Sequence, residues 1–129
     1  SYIKIKMESA QRKEEYVLTI KDKYLYNIVG LIILKNIDWS RKQGEFAYCI
    51  GKSFKGQGLM TEAIKALTTF VTTELGLQTI QIITHKTNIG SINVAINSGF
   101  EWKETLENEF TPLNEAPLDM ELYELNYER

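Results

Sequence analysis

Two glycines one residue apart stand in the stretch Lys55, Gly56, Gln57, Gly58, Leu59, Met60, between a strand-like run and a strongly amphipathic one. That spacing suits an anion site. Glycine lets a backbone approach a phosphate closely, and the unpaired amides and positive dipole end at a helix start favour negative charge. Lys52 and Lys55 lie in the same loop and could add charge. The same residues also fit a tight turn that uses glycine for its conformation alone. Two standard phosphate loops are excluded: the dinucleotide fingerprint wants a third glycine, and the ATP loop wants Lys and Ser or Thr after its last glycine. Gly58 is followed by Leu59, Met60 and Thr61.

Other reactive side chains are few. Asn88 precedes Ile89 and makes a good helix cap, and Ser91, one turn further on, shares its side of that helix. Cys49 has no His or Asp beside it in the sequence, so a buried, inert thiol is expected rather than a nucleophile. His85, the only histidine, ends a strand and is expected to be a partly exposed polar residue. One Cys and one His give neither a disulfide nor a zinc cluster, so no metal is expected.

The periodicity predicts the elements that position these groups. Ile3, Met7 and Ala10 fall on one face of an amphipathic helix reaching about Tyr16, followed by a strand at Val17–Ile20 and a turn at Lys21–Lys23. Ile28–Leu34, apolar and β-branched, reads as a buried strand, and Glu45–Ile50 as another. From Leu59 a helical stripe runs through Met60, Ala63, Ile64, Leu67, Phe70, Val71 and Leu75, with Gly76 as its stop. Gln78–Thr84 is a strand, Ile89–Asn97 a short helix, and Phe100–Leu106 and Leu118–Leu125 the closing strands. The predicted order is α β β β α β α β β.

With 129 residues, 43% of them hydrophobic and 25% charged, the chain is expected to form a single domain over 1–129. A net charge of −2 gives no bulk positive field, so neither nucleic acid nor a membrane surface is an expected partner. No apolar run approaches the ~20 residues of a membrane span, and no secretory signal is evident, so the cytoplasm is the expected compartment.

Glu45–Ile50, Gly51–Ala63 and the group Asn88, Ser91, Val94, Gly99 and Phe100 together resemble the GNAT superfamily of acetyl-CoA-dependent N-acetyltransferases. Gly51, Lys52, Ser53, Phe54 and then Met60, Thr61, Glu62, Ala63 are most similar to its RimJ/RimL type, which acetylates ribosomal-protein N-termini. The resemblance implies an α/β (α+β) fold, the GNAT acyl-CoA N-acyltransferase fold. Its central sheet is mixed, mostly antiparallel, splayed in the middle and flanked by helices. Against that pattern the chain starts late, so the resemblance implies that it lacks the first strand and helix. An uncovered strand edge would then make a homodimer plausible.

By the same resemblance, acetyl-CoA is the co-substrate and its pyrophosphate lies on Phe54, Lys55, Gly56, Gln57, Gly58, Leu59 and Met60. The pantetheine arm lies along Tyr48, Cys49 and Ile50, in the opening between that strand and the one at Gln81–Thr84, and is met by Asn88 and Asn93. Backbone amides near Cys49 and Ile50 would hold the oxyanion. The tyrosine acid of many members falls here on Ala95, so Ser91 is implied as the group that protonates or hydrogen-bonds the leaving sulfur. Glu45 resembles the general base of histone acetyltransferases in the superfamily. Tyr123 is expected in the core or substrate wall, while Trp39, Trp102 and Phe110 are candidates to line the acceptor site. Ser53 stands where the family loop commonly has Gln or Arg, and Asn93 and Asn97 where basic residues are common, so coenzyme contacts would be fewer. The implied activity moves acetyl to a primary amine, a protein N-terminus or a small amine, by direct attack in a ternary complex. A noncatalytic coenzyme A binding module or truncated remnant of the fold is the alternative.

Overall fold

A computed structural model describes residues 3–9 as backbone, and residues 15–22, 27–56 and 58–127 with their side chains. The strands are β1 (Ile3–Ser9), β2 (Tyr16–Asp22), β3 (Ile28–Asp38), β4 (Gln43–Ile50), β5 (Thr79–Thr84), β6 (Glu101–Phe110) and β7 (Leu118–Asn126). The helices are α1 (Leu59–Thr73) and α2 (Ile89–Asn97), with a 3-10 turn at Lys52–Phe54. The strands form one sheet in the order β1-β2-β3-β4-β5-β7-β6. Every neighbouring pair is antiparallel except β4 and β5, which run parallel.

Even-numbered residues Leu18, Ile20, Ile32, Leu34, Phe46, Ile80 and Ile82 share one face, as the two-residue side-chain period requires. That face packs with Met60, Ala63, Ile64, Leu67 and Val71 of α1 and Ala95 of α2 to make the core. The stripe on α1 is buried as its period predicts, except at Phe70, which is exposed, and that burial anchors the helix against the sheet. Thr68 and Thr72 sit in the same interface, where their hydroxyls donate to the carbonyls of Ile64 and Thr68, both at 2.8 Å. Past α1, Gly76 takes φ 75° and the Leu77 amide donates to the Val71 carbonyl at 3.1 Å, closing the helix at the expected glycine.

The opening helix is a correction. Ile3–Ser9 forms β1, pairs with β2 from Ile3↔Asp22 to Ser9↔Tyr16, and makes one edge of the sheet. Ile3, Ile5 and Met7 alternate with Lys4, Lys6 and Glu8, so these residues satisfy a strand period as well as a helical one. The pairing partner offered by β2 decides between them. Residues 10–14 of the expected helix, and residue 23 of the expected turn, lie outside the described residues. The strands β3 and β6 also run longer than expected, to Asp38 and Phe110.

Candidate active site

β4 and β5 pair only from Gln43↔Thr79 to Phe46↔Ile82. Beyond that they part. Ala47–Ile50 stays bonded to β3, from Ile33↔Ala47 to Gly30↔Ile50. Ile83 and Thr84 stay bonded to β7. Each strand is thus held by its outer neighbour while the inner edges face a gap, which leaves main-chain groups for an amide-bearing chain to pair with.

The loop after β4 is pinned at its start, where the Gly51 amide donates to the Val29 carbonyl at 2.7 Å and the Phe54 amide to the Gly51 carbonyl at 2.9 Å. Gly56 and Gly58 take φ 78° and 74°, the left-handed region that glycine enters without strain. Gly58 caps α1 and offers the first-turn amides no capping side chain of its own. No neighbouring atom lies within 4 Å of where a Cβ would stand at either glycine. The loop backbone is open on that side.

From this loop a cavity of about 660 Å³ extends to α2. It is lined by Tyr48, Cys49, Ile50, Phe54, Lys55, Gly56, Gly58, Leu59 and Met60, and across from them by Asn88, Ser91 and Asn93. The structure therefore brings together the residues expected at a coenzyme site, apart from Gln57, which lies outside the described residues. Thr61, Gly90, Val94 and Asn97 line it too. The last three fall with Asn93 on one face of α2; Asn97 was already expected near the coenzyme, and the same helical spacing could have disclosed Gly90. Among the described residues the lining carries Lys55 and no carboxylate. Cys49 is a second correction: it is exposed, because as an odd-numbered residue of β4 its side chain lies on the sheet face of Glu45, away from the core, and the residue also lines this cavity.

A second cavity of about 290 Å³ fills the gap itself, between Phe46, Ala47 and Tyr48 on one side and Ile82, Ile83, Thr84 and His85 on the other. Phe110, Leu118 and Met120 of β6 and β7 wall it. Of the three aromatic candidates for this wall, Phe110 is there. Trp102 is 56% exposed, with its indole donating to Glu121 at 2.9 Å, and neither it nor Trp39 lines either cavity. Tyr123 is buried in the core.

Asn88 caps α2, accepting from the Ser91 amide at 3.1 Å. The Tyr48 phenol reaches the same turn, donating to the Ser91 carbonyl at 2.8 Å and lying 3.1 Å from the Ser91 hydroxyl. Burial pushes the Tyr48 phenol above its ordinary value, with the Ser91 bond acting in the opposite direction. His85 Nδ1 accepts from the Thr87 amide at 3.2 Å and lies 2.7 Å from the Thr87 hydroxyl. Glu45 is apart from this group. Three residues from Tyr48 on a strand, it lies on the opposite face, accepts from Asn36 Nδ2 at 2.9 Å and faces the Lys35 ammonium at 3.9 Å.

The central parallel pair of the sheet thus parts beside a cavity that runs to a glycine-started helix. The chain belongs to the acetyltransferase (GNAT) domain family, whose model matches residues 1–101. It is 34% identical over 74 residues to YdaF of Bacillus subtilis (strain 168), named as a candidate ribosomal N-acetyltransferase, covering 57% of this chain and 40% of that protein. Ribosomal-protein-S5-alanine acetyltransferase from Vibrio fischeri superposes with a TM-score of 0.82 at 20% identity, covering 88% of this chain and 62% of that one. A variant of the spermidine N-acetyltransferase SpeG from Vibrio cholerae gives 0.78 at 22% identity, with 87% and 64% covered. At these identities the superpositions establish the fold. The chain spans less than two thirds of the length of each of these relatives.

Proposed function

We propose that this chain, as a single acetyltransferase domain over 1–129, moves acetyl from acetyl-CoA to a primary amine by direct attack in a ternary complex. The observation that carries this reading is that Tyr48, Asn88 and Ser91 line both the cavity beside the glycine loop and the gap between β4 and β5, so the two adjoin at these residues. The glycine loop and first turn of α1 fit a pyrophosphate, with Lys55 adding charge. The inner edge of β4 fits the pantetheine amides. The thioester then lies beside these residues, where main-chain amides near Cys49 and Ile50 that turn toward the gap meet the developing oxyanion and Ser91 meets the departing sulfur. No step calls for a metal.

The acceptor must lose a proton. At pH 7 an α-ammonium of pKa ~8 costs about 1.4 kcal/mol to deprotonate, and a lysine of pKa ~10.4 about 4.6 kcal/mol. Among the described residues, those lining the gap include His85 and no carboxylate, and the Nδ1 of His85 is already engaged. This environment favours an amine of low pKa, such as a protein N-terminus. Glu45 pairs with Gln81 just before the strands part, and so meets an acceptor only if it arrives from the sheet face opposite α1. The relatives' names carry both acceptor kinds, a ribosomal-protein alanine and spermidine.

A free-thiol assay with acetyl-CoA over a panel of peptides and small amines tests the proposal, with coenzyme binding measured in parallel by calorimetry. Thiol release that depends on the amine supports it. Binding with no release from any acceptor returns the noncatalytic coenzyme A module.

A further inference from the structure

Tyr48, Asn88 and Ser91 line both cavities, so the thioester of a bound coenzyme would pass them. The contact of Asn88 is a helix cap and explains itself. That of Tyr48 does not. Its phenol rises from β4 and meets one residue of α2 twice, at the Ser91 carbonyl (2.8 Å) and the Ser91 hydroxyl (3.1 Å). A carbonyl only accepts, and a phenol has one proton to give. The second bond must then run from Ser91 Oγ to Tyr48 Oη. At rest the Ser91 proton is committed to Tyr48.

Resting on the acetyl-transfer reading above, we propose that Tyr48 is a positioning residue: through the Ser91 carbonyl it holds the first turn of α2 where the linings of the two cavities meet, so that the Ser91 hydroxyl can hydrogen-bond the departing sulfur. When the amine nitrogen bonds to the acetyl carbon, the carbon–sulfur bond breaks and its electron pair stays on sulfur. A bond from a hydroxyl to an anion is roughly twice as strong as one between neutral groups, so Ser91 turns from Tyr48 to the thiolate. Ser91 shares its proton and keeps it. The proton that finally makes the thiol is the one the amine nitrogen sheds once it has bonded to the acetyl carbon and the amide forms, delivered through solvent. Tyr48 goes on donating to the Ser91 carbonyl throughout and never ionises, in keeping with a phenol that burial holds neutral.

The test compares wild type, Tyr48→Phe, Ser91→Ala and the double variant of the full chain. Ser91→Ala is expected to lower kcat about 10- to 100-fold. Tyr48→Phe, which keeps the ring, is expected to lower kcat about tenfold with KM for acetyl-CoA within twofold, and to add nothing in the Ser91→Ala background. In parallel, the thiol of bound coenzyme A is titrated by its ultraviolet thiolate absorbance; losing an aligned donor should raise its midpoint by about one pH unit in Tyr48→Phe. Losses that multiply in the double variant, or a Tyr48→Phe protein with wild-type kcat and an unmoved thiol midpoint, overturn the proposal. If wild type binds coenzyme A yet turns over no amine, the proposed activity fails, and the thiol midpoint still decides the role of Tyr48.

Discussion

The carboxylate of Glu45, tied to Asn36 and Lys35 on the sheet face away from α1, makes its own prediction about the acceptor's route. If that carboxylate takes the amine's proton, Glu45→Gln should depress kcat most at low pH, where fewer acceptor molecules are already neutral. A pH–rate profile parallel to wild type would assign deprotonation to solvent. Tyr48 predicts a change in stability. The folded chain holds its phenolic proton more tightly than the unfolded one, so that contribution is complete below the ordinary tyrosine value of about 10 and is lost as pH rises through the raised folded value. Thermal melts from pH 8 to 11 should show wild type losing more stability than Tyr48→Phe. The candidacy of Ser91 was legible from its place one turn after Asn88. Its bonds to Tyr48 were not, because 43 residues separate the partners and no local pattern joins a strand to a helix that far away.

At the scale of elements, the proposed coenzyme site depends on one loop. Gly58→Ala adds a methyl to open space, so its cost is conformational: about 1–2 kcal/mol for a left-handed L-residue. Calorimetric melting should show that loss, and titration with acetyl-CoA should show weakened affinity as the first turn of α1 shifts to relieve it. The loop and both helices were legible because their signals are local: a glycine pair, an apolar stripe, an Asn cap and a Gly stop. β1 was not, since its residues satisfy two periods and only the neighbouring strand distinguishes them. The wall made by Phe110, Leu118 and Met120 has no sequence signature either. Those residues meet because β6 and β7 pair, an outcome of tertiary folding.

At the scale of the whole molecule, filling the cavity couples the glycine loop, α2 and both central strands. Acetyl-CoA at 100 times its Kd should therefore stabilise the chain by about 2.7 kcal/mol, on the order of 10 °C in Tm for a domain of this size. Acetyl-pantetheine, which lacks the phosphates, should give a much smaller shift at equal concentration. Equal shifts from both would remove the loop from coenzyme recognition. The sequence by itself determined the anion-ready turn, the helix that follows it, the capped helix bearing Ser91 and the family to which these belong, because each depends on residues a few positions apart. Only the tertiary structure decided that β4 and β5 part after Phe46 and Ile82, that Cys49 is exposed and lines a cavity, and that Glu45 and Ser91 occupy different sides of the sheet. Those outcomes depend on which outer neighbour each strand pairs with, and strand pairing joins residues whose separation along the chain carries no periodic trace.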